Sequence, residues 1–450
     1  MRPSIYFHID EVARDAVVAA NLRKILHPRG VEVVYGNRAH SELFGLFDNF
    51  SAFDLYLFPN VDLFQTTCPN PDRLSAAVII LPTETVGGMT RNVDRLAAKY
   101  FGSFPDECWP WINKVAAFCV WGPSHTKAFE AKGPHLLPKC HIVGHPRFDR
   151  RCQSEPKVAA NTEKIRIGLI SRFAGINAFD RRSILQVVYD ARNVKGRELP
   201  SYRLSPNLNI EDRIYTESID LRHLFDFIDR LDPQVYDVIV RTHPREDRTR
   251  WQTLIAQNRL PLQLAPWDQP FIHWVNTVDY VVGPVSTSFY DCITVGKMPI
   301  CTIDIAPHRK DHALVGGDDE NPILNYVARP GSIEELLKRV AGKPEAGRLN
   351  RPEGLIHILR QEANYPDCSN SLDNVARVCE DVLKETRHKC KASLTGRVKH
   401  ELFARAQGAV LQAARYGKPE QSSSFALSTK RRRWIDALAG ATHRFLKNSV

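Results

Sequence analysis

The chain has 450 residues, 43% of them hydrophobic and 25% charged, enough for two or three domains with sizeable cores. No apolar run approaches the ~20 residues of a membrane span, and the N-terminus lacks the apolar stretch and small-residue cleavage site of a secretory signal, so a cytoplasmic protein is expected. The net charge of +10 is unevenly placed: residues 384–450 carry 15 Lys and Arg against 4 Asp and Glu, a basic tail on a near-neutral body, which disfavours nucleic-acid binding as the main role.

In chain order, "SIYFHI" (4–9), "VEVVYG" (31–36), "FDLYLF" (53–58), "AAVIIL" (76–81), "AFCVWG" (117–122) and "CHIVGH" (140–145) read as strands rich in β-branched and aromatic residues. Between the first two, Val12, Ala16, Ala19, Ala20 and Leu22 or Arg23 fall at helical spacing. Asp10 is placed to cap that helix, and Pro28 and Gly30 to stop it. A polar stretch near 146–163 follows, and the alternation restarts. "KIRIGLIS" (164–171), "YDVIVRT" (236–242), "LPLQLA" (260–265), "VDYVVG" (278–283) and "MPICTID" (298–304) are strands, with helices from about 178 and over about 216–231. Near-continuous apolar strands separated by helices predict parallel sheets covered on both faces. The expected fold is therefore α/β: two Rossmann-like domains facing across a cleft, residues 1–150 and 151–345, and a helical, basic extension over 346–450. Ligands of such folds sit beyond the carboxyl ends of the strands.

Ten cysteines show no metal-ligand spacing, so no metal is expected and reduced thiols are the default. Cys368, Cys379 and Cys390 recur every 11 residues, a spacing that suits one helix face and burial. The acidic loop "GGDDEN" (316–321) reads as solvated, because adjacent side chains diverge.

Two stretches carry chemistry. "VIVRTHPRED" (238–247) ends a buried strand in Arg241, His243, Pro244 and Arg245, a cluster of actual or potential cations. "VDYVVGPVSTSFYDCITVGKMPICTID" (278–304) ends a strand at Gly283-Pro284 and opens a helix through Ser286, Thr287 and Ser288. Hydroxyls and free N–H groups at a helix start suit an anion; alone, Ser286 or Thr287 reads as a simple cap. His243 alone reads as structural and the arginines as solvated. Together the two stretches point to phosphate binding.

With "CHIVGHPRFD" and "KIRIGLISRF" before them, these segments resemble bacterial surface carbohydrate biosynthesis proteins of the GT-B architecture. More distantly they are similar to CDP-glycerol glycerophosphotransferases and β-Kdo transferases. "HIDEVARDAVVAANLRKILHPRGVEVVYGNR", "LPTETVGG" and "AFCVWGPSHTKAFEAKG" extend the resemblance over about 4–340. It implies a glycosyltransferase of capsule or lipopolysaccharide assembly with a cytidine-nucleotide donor, a CMP-ulosonic acid such as CMP-Kdo above all. The resemblance puts the donor's nucleotide on Arg241, His243 and Pro244 with Arg245 alongside, and its phosphate on Ser286, Thr287 and Ser288. It makes Gly144–Asp149 the inter-domain hinge, with Arg147 and Asp149 structural. The enzymes of teichoic acid synthesis carry Asp before their serine pair, where this chain has Gly283-Pro284-Val285; that weakens a glycerol-phosphate donor and favours a sugar. Asp291 stands where a ribose-binding acid could serve, or is an exposed helical acid.

The chemistry needs a base or nucleophile in the first domain. His8, Asp10 and Glu11 follow the first strand, and Glu84 follows the fourth beside Gly87-Gly88. Glu84 is preferred, against the reading that it caps the next helix. No cofactor is implied. In the tail, 371–416 reads as helix, and Trp434, Leu438, Ala441 and Phe445 share a face among Lys430–Arg433, Arg444 and Lys447. Such a helix fits either the anionic inner membrane surface, hence a lipid-linked or glycan acceptor, or packing against a partner. The opposing readings are a CDP-polyol transferase, a UDP-sugar transferase or epimerase, and a non-catalytic assembly scaffold.

Overall fold

The structure, a computed structural model, describes residues 2–9, 12–36, 52–84, 93–102, 105–153, 163–193, 210–267, 269–305, 321–344 and 351–386. The chain divides into a unit of residues 1–393 and another of 394–450. The second unit, with the amphipathic tail segment, lies wholly outside the described residues.

All eleven segments read as strands are strands. β1 (Ser4–His8), β2 (Glu32–Gly36), β3 (Leu55–Phe58), β4 (Ala77–Ile80), β5 (Val115–Val120) and β6 (Cys140–Ile142) form one sheet in the order β2-β1-β3-β4-β5-β6. Every pairing in it is parallel. Its helices are α1 (Val12–Leu26), α2 (Val61–Thr67), α3 (Val93–Phe101), α4 (Pro105–Ile112) and α5 (Thr126–Lys132). Both faces are covered, so β3 and β4 are buried at every residue, as parallel strands between helix layers must be. Leu22 and Ala19 of α1 enter the core and Arg23 is exposed. The chain beyond α1 stops where foreseen, with Pro28 in a final short turn and Gly30 at φ 81°.

The second sheet is also parallel, in the order β11-β10-β7-β8-β9. Its strands are β7 (Ile165–Ile170), β8 (Tyr236–Arg241), β9 (Leu262–Leu264), β10 (Tyr280–Gly283) and β11 (Ile300–Cys301). Its helices are α6 (Ile184–Asn193), α7 (Ile210–Ile228), α8 (Arg248–Asn258), α9 (Phe271–Val275), α10 (Ser288–Thr294) and α11 (Ile333–Arg339). The chain adds β8 and β9 on one side of β7, then returns to add β10 and β11 on the other. The switch point between β7 and β10 is where such sheets open a ligand crevice. The two-sheet α/β architecture expected from the sequence is thus present.

Three local expectations are corrected. The helix foreseen from about 178 starts at Ile184, because Phe179 N–H donates to Arg245 O at 2.8 Å and holds the preceding loop on the β8 turn. β11 shrinks to two residues and Ile303–Ile305 coil into a short helical turn. Cys368 and Cys379 do not share a helix: Cys368 lies in the turn Asp367–Asn370, before the final helix, and each is buried in a different core. Cys390 lies outside the described residues.

After the second sheet the chain goes back to the first. α12 (Glu353–Ala363) packs under the second core, while α13 (Ser371–Thr386) inserts Leu372, Val375, Cys379 and Val382 into the core beside α1. Asp149 Oδ2 accepts from Leu372 N–H at 2.8 Å, and Ser371 Oγ donates to Gly144 O at 2.9 Å. At Gly144, with φ 84°, an added Cβ would come within 2.8 Å of the Cys368 backbone. This crossing requires glycine.

Candidate active site between the sheets

The loops that leave β7 and β8 are laced together by a buried carboxylate. Glu246 accepts from Ser171 Oγ at 2.8 Å, Phe173 N–H at 2.9 Å, Trp251 Nε1 at 2.8 Å and His243 N–H at 3.3 Å. Burial pushes its pKa up, against the lowering effect of those donors. A second buried acid, Glu217 of α7, accepts from Gly175 N–H at 2.6 Å and Ile176 N–H at 3.1 Å and pairs with Arg213 at 2.7 Å. Buried carboxylates so fully supplied with donors fix the backbone around them.

This frame presents the cations. Arg241 is half-buried and donates to Pro266 O at 2.6 Å, so it is anchored and not simply solvated. Pro244 and Arg245 are exposed. His243 Nδ1 accepts from Arg245 N–H at 3.1 Å, which in the neutral ring puts the proton on Nε2 as a donor. Burial lowers the His243 pKa to about 4; Glu84 opposes, and Arg245, Arg172 and Arg213 add to the lowering. His243 itself is exposed, and the lowered pKa leaves its ring neutral at pH 7.

Glu84, on the loop beyond β4, is thus near enough for its charge to raise the His243 pKa. Among the described residues it is the sequence candidate of the first sheet whose charge reaches His243. Its side chain is 53% exposed, and Lys99 Nζ lies 3.6 Å from Oε2. Next to it, Thr83 Oγ1 is buried with no hydrogen-bond partner among the described residues. Asp10, Glu11 and the glycine pair 87–88 lie outside the described residues. His8 is 1% exposed, in ring contact with Phe58.

The hydroxyl turn stands at the switch point. Arg172 Nη1 donates to Val285 O at 3.2 Å, joining the loops after β7 and β10. Ser286 Oγ accepts from Ser288 N–H at 3.2 Å, and Thr287 makes no side-chain cap. Ser286 is thus the capping hydroxyl, and Ser286, Thr287 and Ser288 are all half-buried. Beside the turn, Phe173, His223, Phe227, Pro284, Thr302 and Ile305 line an apolar pocket with about 430 Å³ of empty space, its mouth included.

Asp291 is neither an exposed acid nor free for a ribose. It is 1% exposed and pairs with Arg147 at 3.1 Å, so the turn after β6 grips α10 directly. Arg351 holds the other end of α10, donating to Ile293 O at 2.6 Å and Thr294 O at 3.1 Å. Tyr290 of α10 bonds Glu362 of α12. The segment carrying Ser286–Ser288 is therefore clamped from both sheets.

Sequence reasoning missed Arg172, Arg213, Glu217 and Glu246. Arg172 follows β7 as Arg241 ends β8, a parallel that could have been drawn. Arg213 and Glu217 look like any helical pair four residues apart, and nothing local marks them. Among the described residues no group of three or more His, Cys, Asp and Glu could hold a metal, and no helix is long and apolar enough to cross a membrane.

No protein-family profile matches the chain, and no curated protein matches it either. Several solved structures are similar in fold. S. aureus MnaA in a co-structure with UDP is 8% identical, with a TM-score of 0.46 over 85% of this chain and 97% of that one. The wall teichoic acid polymerase TagF, as an H548A variant, is 10% identical, with a TM-score of 0.49 over 85% and 90%. The UDP-GlcNAc 2-epimerase of Methanocaldococcus jannaschii is 10% identical, with a TM-score of 0.44 over 85% and 100%.

Proposed function

We propose that this protein is a glycosyltransferase that takes a nucleotide-activated donor, a CMP-ulosonic acid such as CMP-Kdo, and transfers its sugar to a glycan or lipid-linked acceptor of the cell surface. The observation that carries this reading is the set of charges His243 feels: the Glu84 carboxylate, from the loop beyond β4, raises its pKa, and Arg172, Arg213 and Arg245 of the second sheet's loops and helices lower it. Three guanidiniums and a neutral N–H donor suit the phosphate of a leaving nucleotide. A carboxylate opposite them suits activation of an acceptor hydroxyl. In this reading the second sheet, within 151–345, holds the donor through Arg241, His243, Pro244, Arg245, Ser286, Thr287 and Ser288. The first, within 1–150, receives the acceptor with Glu84 as base, and the basic tail meets the inner membrane surface. The choice of a cytidine donor rests on the sequence resemblance, and the choice of a sugar on Gly283-Pro284-Val285 in place of an acid.

Calorimetric titration of wild type and His243→Ala with CMP, CDP, UDP, GDP and ADP tests this. Selective cytidine-nucleotide binding that the variant loses is the expected result. Binding of UDP in its place reassigns the donor. Binding of no nucleotide overturns the enzyme reading in favour of an assembly scaffold.

A further inference from the structure

Among the described residues Trp267 is the exposed tryptophan, 65% accessible, whereas Trp121, Trp251 and Trp274 are 4% or less. A lone exposed aromatic needs no explanation on an ordinary surface. This one stands on a hydrogen-bonded turn beside the candidate site. Ala265 N–H donates to Val240 O at 2.9 Å and Gln269 N–H to Pro266 O at 3.3 Å, closing a turn with Trp267 inside it. Pro266 O also accepts from Arg241 at 2.6 Å. The turn is thereby lashed to the tip of β8, two residues from His243. A solvent-facing indole on a hydrogen-bonded turn, an anchored guanidinium and an imidazole N–H donor lie along one stretch of the sheet's carboxyl edge. That set matches a planar heteroaromatic ring bearing a phosphate.

We propose that Trp267 is the stacking platform for the nucleobase of the donor, with Arg241 at its edge. The proposal rests on the nucleotide reading of the cleft and adds where the base lies and what kind of contact holds it. Every base has a π-face, so stacking contributes affinity without choosing among bases. Selection of cytosine falls to other groups, and loss of the indole weakens all nucleotides alike.

The test uses the full chain as wild type, Trp267→Leu, Trp267→Phe and His243→Ala, titrated with CMP, UMP and ribose 5-phosphate by calorimetry and by tryptophan emission under iodide quenching. Trp267→Leu is expected to weaken CMP and UMP by about tenfold or more, in equal ratio, and to leave ribose 5-phosphate unchanged. Trp267→Phe restores most of the affinity. CMP shields a quenchable emission in wild type that Trp267→Leu lacks. If Trp267→Leu binds CMP like wild type while His243→Ala does not, the platform is wrong and the nucleotide reading stands. Equal loss of ribose 5-phosphate would assign Trp267 to loop structure and overturn the platform. If wild type binds neither CMP nor UMP, both fall.

Discussion

His145 and His243 make the same turn. Each Nδ1 accepts from the N–H of the arginine two residues on, at 3.1 Å, and in each an aspartate follows whose Oδ1 accepts from the N–H two residues further, at 2.9 Å. The sequences match as His-Pro-Arg-Phe-Asp and His-Pro-Arg-Glu-Asp. Their surroundings do not. His145 is fully buried, its ring 4.2 Å from Trp121 and 4.4 Å from Phe148, while His243 is exposed in the cleft.

That contrast separates the two histidines by experiment. His145→Ala leaves a cavity between two aromatic rings and is expected to cost about 2–3 kcal/mol of stability. His243→Ala is expected to cost less than about 1 kcal/mol. Urea denaturation of the two variants reads the difference, and equal losses would place His243 in the structural framework and not in the site.

The charge on Glu84 is expected to be felt by His243. The folded pKa of His243, about 4, lies below the ordinary 6.5, so the unfolded chain binds the proton more readily. The ring's contribution to stability is full above about pH 6.5 and is lost as pH falls toward 4. Glu84→Gln removes an upward influence and lowers the titration midpoint further; Arg172→Met removes a downward one and raises it. Imidazole chemical shifts followed by NMR give both midpoints. An unchanged midpoint in Glu84→Gln would mean that the two side chains do not face each other in solution.

Glu246 has the opposite sign. Burial raises its pKa above 4.5, so its contribution is full below about pH 4.5 and is lost as pH rises through the folded value. Glu246→Gln turns an amide group toward donors and is expected to cost about 1–3 kcal/mol at pH 5. The gap to wild type then narrows toward pH 8. Unfolding free energies across that range check the slope, and a gap that widens with pH would show that the fold favours the carboxylate.

Much of this protein was legible in order along the chain. The central strands could be read because strands buried on both faces are nearly all apolar, and β3 and β4 are buried at every position. The edge strands β2, β6 and β9 are only partly buried and are legible from their largely apolar runs between turn residues. The cations of 241–245 and the hydroxyls of 286–288 stood out because each cluster is contiguous, and strand ends in such sheets are where ligands meet the chain. Boundaries read less well. The loop before α6 is held by a hydrogen bond to Arg245 O, 66 residues on in the chain, which no local pattern reveals.

Tertiary structure alone decided the partners. Asp291 has the spacing of an exposed helical acid, yet Arg147, 144 residues away, turns it into a buried inter-sheet clamp. Glu246 reads as one more charge in "RED" until Ser171, Phe173 and Trp251 converge on it. Arg213 gains its meaning only where α7 brings it near His243. Local sequence sets which segments are strands and helices through short-range sterics and burial pattern. Which charge meets which depends on loop paths and helix packing over long separations, and those are settled only when both sheets are in place.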